Sequence, residues 1–282
     1  MPVSPLQIRF SPTLALAAIL TPAPAHAHGL FDAHILERAP LLLTAILVAA
    51  AWLLYVLGAR KVPPRRSEAL CFHSAMLLVV LAVFGPIDDW AENSTSWHMT
   101  QHMLFIIVIA PLWALARPLP QWRGITGRFA QPVWTGILRA GRYPTLLALL
   151  HGAIIWIWHT PKLYVLALDN LWWHAFEHAC FLFTGWLFWW SALRANPKQV
   201  PQALMAVLLT LMHTGLLGAL LTFGTVSFYG EGRSVEDQQL AGLIMWVPGG
   251  LIYLIGGGWI AWRWLTRMWR RQQTGDVRKE LS

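Results

Sequence analysis

Residues 98–116 read HMTQHMLFIIVIAPLWALA: two histidines four apart, then an apolar run that stops at Arg117-Pro118. The stretch carries no Asp, Glu, Lys or Arg. Its length is close to the ~20 residues with which a helix crosses a hydrocarbon core. It therefore reads as a transmembrane helix with polar groups at one end only. Comparable apolar stretches lie at 40–58, 69–85, 144–159, 172–193, 201–223 and 240–265. The expected fold class is all-α, a polytopic membrane helical bundle of about seven transmembrane helices. The stretch at 144–159 is short, and His159-Thr160-Pro161 supplies its stop, since the residue before proline resists the helical region.

Composition agrees with this class. Hydrophobic residues make up 56% of the chain and charged residues 12%, with 18 Trp in 282 residues. Soluble domains carry roughly 25% charge, so this chain does not cover a water-facing surface of ordinary polarity. The net charge of +8 suggests nucleic acid at first sight. The basic residues, however, sit in short loops between apolar runs, and no nucleic-acid partner is expected; the lipid bilayer is.

Those loops alternate in charge. Arg60, Lys61, Arg65 and Arg66 follow the first stretch. Arg117, Arg123, Arg128, Arg139 and Arg142 follow the third, and Arg194 and Lys198 the fifth. Arg263, Arg267, Arg270, Arg271, Arg278 and Lys279 close the chain. The intervening loops are acidic or nearly neutral. Basic loops stay in the cytoplasm, so the N-terminus is expected in the periplasm and the C-terminus in the cytoplasm of a bacterial inner membrane.

Ahead of the first stretch, Arg9, the short apolar run 13–20 and Ala25-His26-Ala27 have the order of a secretory signal. The alternative is an uncleaved first helix, but the apolar run before Pro22 and Pro24 is well short of the ~20 residues of a span. The expected organisation is a signal peptide over 1–27, one transmembrane domain over 28–271 and a cytoplasmic tail over 272–282.

Histidine placement carries the chemistry. Ionisable groups in lipid are costly, so they face the bundle interior and mark sites. His98 and His102 share one helix face by their i, i+4 spacing; His174 and His178 repeat it at the outer start of the fifth stretch, and His159 ends the fourth at the same level. These five are candidate metal ligands. Met99 and Met103 are also four apart, turned ~100° from the histidines by the helix pitch. Asp88, Asp89, Glu177 and Asp237 are candidate accessory groups that add carboxylates or orient imidazoles. His151 and His213 lie deeper and form a second candidate site, for metal or haem, unless they simply hydrogen-bond between helices. Imidazole suits several transition metals and thioether selects Cu(I), so copper is the expected cofactor, with haem as the alternative. Cys71 and Cys180 form no CxxC or other recognisable motif, which leaves the His/Met surface rather than thiolates to handle copper.

HMTQHMLFIIVIAPLWALARP, WIWHTPKLYVLAL with HAFEHACFLFTGWLFWW, and DQQLAGLIMWVPGG together resemble the CtaG-type cytochrome c oxidase assembly proteins associated with caa-type oxidases. The likeness runs from about residue 40 to 265. It implies a non-enzymatic role in maturing a respiratory haem–copper oxidase, with oxidase subunits or other assembly factors as partners. The family's histidine motifs fall here on His98, His102, His159, His174 and His178, and its acidic glutamine motif on Asp237, Gln238 and Gln239. A haem-binding redox protein and a copper or small-molecule transporter are the alternatives from other classes.

Overall fold

A computed structural model describes residues 35–230 and 232–280. The expected signal peptide, its cleavage site and His28 lie outside these residues. The chain separates into two units, Met1–Ala39 and Pro40–Ser282, and the helical bundle belongs to the second. Helix accounts for 85% of the structure, with no strand among the described residues.

The helices, in chain order, are α1 (Ile35–Lys61), α2 (Arg66–Phe84), α3 (Pro86–Asn93) and α4 (Thr95–Ala116). They continue with α5 (Leu119–Thr126), α6 (Gln131–Ala140), α7 (Pro144–Trp158) and α8 (Pro161–Asp169). The last three are α9 (Leu171–Leu193), α10 (Val200–Thr222) and α11 (Val235–Glu280). The short α3, α5, α6 and α8 occupy what the sequence suggested were loops. Each has proline in its first turn, where the missing N–H costs nothing and the fixed φ already suits a helix. The boundary expected at 271/272 falls inside α11, which continues unbroken through the basic C-terminal stretch.

Five helices, α1, α2, α4, α10 and α11, are long and apolar enough to cross a membrane. The two remaining expected spans fall short for different reasons. α7 is apolar but has only 15 residues. α9 has 23 residues, but His174, Glu177, His178 and five tryptophans lower its mean hydropathy.

α4 is the central element. Of its membrane-crossing window 61% is buried within the protein, against 11% for α1. It packs on α2, α9 and α11, while α7 packs on α9 and α10. After Met103 the helix widens into a π turn over Leu104–Ile109 before resuming as α-helix at Ala110. Such a turn displaces backbone carbonyls from the α-helical ladder. Trp189 Nε1 donates to the Ile106 carbonyl at 2.9 Å, so α9 supplies a partner at the place where α4 departs from regular geometry. The Trp189 ring stacks on Tyr253, and a Cβ at Gly256 would lie 2.6 Å from that ring.

α11 carries a glycine-rich run, Gly249, Gly250, Gly256, Gly257 and Gly258. A close backbone approach between two long helices lies elsewhere, at Gly218 of α10 and Gly242 of α11. A Cβ at Gly242 would stand 2.5 Å from the Gly218 carbonyl oxygen, and one at Gly218 would stand 2.9 Å from the Gly242 carbonyl. Gly242→Ala is expected to destabilise the protein by ~1–3 kcal/mol, the cost of overpacking a close contact. Gly258→Ala, whose Cβ would meet nothing within 4 Å, is expected to remain near wild type. Thermal unfolding in detergent distinguishes the two; equal melting temperatures would contradict the Gly218–Gly242 contact.

Candidate metal centre

α4 and α9 enter the bundle side by side, each opening on a polar first turn. Ser94 caps α4, its hydroxyl accepting from the Trp97 N–H at 3.3 Å; Asn170 caps α9, accepting from the Trp172 N–H at 2.9 Å. Side-chain oxygens at this position take up backbone donors that a helix start leaves unpaired. Both helices then bring imidazoles to one another in two layers. His98 stacks against His174 with ring centroids 5.3 Å apart. One turn deeper, His102 meets His178 at 5.7 Å. Within each helix the rings are 4.2 Å apart. His98 and His102 are fully buried, His178 is 6% exposed, and His174 is half-buried.

Glu177 stands between the layers, fully buried. Its Oε2 is 3.7 Å from His98 Nε2 and 3.4 Å from His102 Nε2, longer than strong charge-assisted hydrogen bonds. Two donor triads result: His98, His174 and Glu177, and His102, Glu177 and His178, each with donor atoms within 4.8 Å of one another. The sequence suggested an accessory position for Glu177. Its central one follows from spacing, because positions 174, 177 and 178 are i, i+3 and i+4 and lie on one helix face.

Most polar atoms here have no hydrogen bond. Both nitrogens of His98 and His102, both oxygens of Glu177, and Nε2 of His159, His174 and His178 are buried and unpartnered. Buried polar atoms are normally paired, so this cluster has the donor chemistry of a cation site. His159 is prepared in the same sense. Its Nδ1 lies 2.7 Å from the Ile155 carbonyl oxygen, which only accepts. The proton therefore sits on Nδ1 and Nε2 presents its lone pair, as second hydrogen bonds commonly arrange for metal-binding imidazoles. The His159 ring is 5.8 Å from His102, beside the deeper triad rather than within it.

The other expected residues have distinct places. Met99 and Met103 are buried on the neighbouring face of α4, and Met103 Sδ lies 3.5 Å from where a Cβ of Gly249 in α11 would be. Asp88 accepts from Gln101 Nε2 at 2.7 Å, and Gln101 also donates to the Ala82 carbonyl at 2.7 Å. Burial pushes the Asp88 carboxyl above the usual carboxylate range, opposed by that hydrogen bond and by nearby His174. Asp89 is exposed. Asp237 binds the start of α4: it accepts from Ser94 Oγ at 3.0 Å, from the Thr95 N–H and from the Ser96 N–H at 3.3 Å. It caps a neighbouring helix and positions the histidines through α4. Gln238 and Gln239 hold the preceding loop by bonds to Phe228, Val226 and Gly224.

In the deeper pair, Thr184 Oγ1 donates to the Cys180 carbonyl and so accepts from His151 Nδ1 at 2.8 Å. His151 Nε2 and both His213 nitrogens are unpartnered. A Cβ on Gly152, next to His151 on α7, would lie 2.7 Å from His213 Nε2.

Residues beyond the expected set complete the surroundings. Tyr164 packs 5.0 Å from His98 and stacks on Tyr229 at 3.7 Å. Arg233 lies over the Tyr164 ring and donates to the Glu92 carbonyl at 2.7 Å. Neither tyrosine had a sequence signal, since each depends on a loop folding back. Gln101 did: it is three residues from His98 on the same turn. On the opposite flank an apolar cavity of about 380 Å³, lined by Leu47, Val79, Phe105 and Leu182 among others, reaches His178.

A family model described as cytochrome c oxidase caa3 assembly factor matches residues 48–267, a range containing every helix that contributes to the cluster. No curated protein and no solved structure matches the chain. Asp237→Ala is expected to reduce stability by ~1 kcal/mol through loss of the α4 cap, with Asp237→Asn retaining part of it. Detergent unfolding curves of the two variants test this; an unshifted Asp237→Ala would argue against the cap.

Proposed function

The chain belongs to the cytochrome c oxidase caa3 assembly factor family, and from that premise we propose that it matures the oxidase by holding copper at the outer face of the membrane. The observation that carries this reading is the buried meeting of four imidazoles with Glu177 inside the family-matched region. Neutral imidazole is a copper ligand, and a protein that receives and releases an ion needs donors assembled before the ion arrives. The deep position of the cluster keeps water away, while half-buried His174 offers the approach from the outer side. The protein thus acts as a binding and delivery factor for oxidase subunits or their other assembly factors, without catalysing a reaction.

The proposed topology has seven spans in a bacterial inner membrane, with α7 and α9 crossing beside the five longer helices. The N-terminal end is periplasmic and the C-terminal end cytoplasmic, by the alternation of basic loops. A thiol introduced as Arg128→Cys, with Cys71 and Cys180 replaced, is expected to resist an impermeant reagent added from outside. Labelling from outside would reverse the orientation and move the histidine cluster to the cytoplasmic side.

Loss of the protein is expected to lower oxidase activity and oxidase copper while the oxidase polypeptides are still made, because a metal centre forms only when ion and deprotonated ligands meet. Added copper should restore part of the activity by mass action. A His102→Ala/His178→Ala variant should behave like the deletion, and His73→Ala, in α2 and hydrogen-bonded to Trp52, should not. Normal oxidase activity and copper content in a deletion strain at limiting copper would exclude the assembly role.

A further inference from the structure

We propose that the cluster is a two-ion centre in which the Glu177 carboxylate bridges two copper ions held in successive layers. The inference rests on the copper reading above and specifies how many ions the site takes and which residues hold each. The outer ion is assigned to His98 and His174, the inner to His102 and His178, with His159 available to the inner one.

The donor geometry separates one ion from two. Nitrogen and oxygen donors bind at ~2.0–2.2 Å, so donors sharing one ion lie within about 4.4 Å of each other. Among the described residues the donors gather instead as two triads that share Glu177 and no other residue. The layering has a covalent origin: His98 to His102 and His174 to His178 are each four residues, about one helical turn and an axial step of ~6 Å. The two helices run in the same direction, since His98 pairs with His174 and His102 with His178. Each turn of the α4–α9 seam therefore offers one imidazole pair. One Glu177 oxygen, Oε2, lies within 4 Å of both layers, which places the carboxylate to bridge two ions, and two-metal sites space their ions ~3.5–4 Å apart.

Charge selects the oxidation state. A buried site tolerates little net charge. Four neutral imidazoles and one carboxylate leave a single negative charge. Two cuprous ions then leave an excess of one positive charge, whereas two cupric ions leave an excess of three. The proposed donors are imidazole and carboxylate, the residue types of both triads.

The test is anaerobic titration of the purified full-length protein in detergent with cuprous copper, followed by metal analysis after removal of loosely held ions. Wild type is expected to retain two ions per chain. His98→Ala/His174→Ala and His102→Ala/His178→Ala are each expected to retain one. Glu177→Gln, of the same size, is expected to weaken copper binding at least tenfold, in line with the effect of losing supporting groups in metal sites. X-ray absorption of the loaded wild type should show nitrogen and oxygen neighbours without sulfur. One ion in wild type and none in either double variant would overturn the two-ion centre while leaving the copper-holding function intact. No retained copper in properly folded wild type would overturn both.

Discussion

A carboxylate buried among apolar helices must be matched by positive charge, and Glu177 imposes that condition on the whole bundle. It is fully buried, with no hydrogen bond to either oxygen. Desolvating such a group without compensation costs several kcal/mol, and a natural fold keeps it only where compensation is built in. In the proposed centre the compensation is a bound cation shared with the ring of imidazoles, whose unpartnered nitrogens converge on the same space. The position of α4 against α9, the course of the outer loops and the aromatic packing below the site all serve to hold those rings in register.

The register is fixed from above and below. Above, Asp237 of α11 ties down the first turn of α4, Gln101 links α4 to Asp88 and to the end of α2, and Arg233 reaches across to the Glu92 carbonyl. Below, the π turn directly after Met103 is met by the Trp189 indole. A regular α-helix would advance each residue by ~100°; the wider turn alters the phase of everything after it. The inward faces of the histidine turn and of the apolar half of α4 are thus set independently, which allows one helix to serve a polar site at its start and dense apolar packing further on.

This arrangement suits a factor that holds an ion and gives it up. Ligands on two helices joined by a shared carboxylate are separable by small movements of either helix. Tyr164 and Tyr229 are buried against each other beside the cluster, with Arg233 over the Tyr164 ring. The apolar cavity that reaches His178 is lined by none of these three residues.

Much of this was legible along the chain. The apolar stretches at 40–58, 69–85, 98–116, 201–223 and 240–265 each coincide, to within one residue at the end, with part of a helix long enough to cross a membrane, and the i, i+4 spacing of His98 with His102 and of His174 with His178 set each pair on one face. These are properties of a single helix, and 3.6 residues per turn is enough to derive them. The place of Glu177 was also implicit in its spacing from His174 and His178. Other features depend on which helix faces which. Asp237 caps α4 from 142 positions away in sequence, Met103 Sδ lies beside Gly249 of α11, and Gly218 and Gly242 bring the backbones of α10 and α11 together outside the glycine-rich run. Sequence periodicity determined the face each residue occupies on its own helix. The rotation of each helix against its neighbours was decided only in three dimensions, because it follows from the fit of side-chain volumes and from the pairing of buried polar groups contributed by distant parts of the chain.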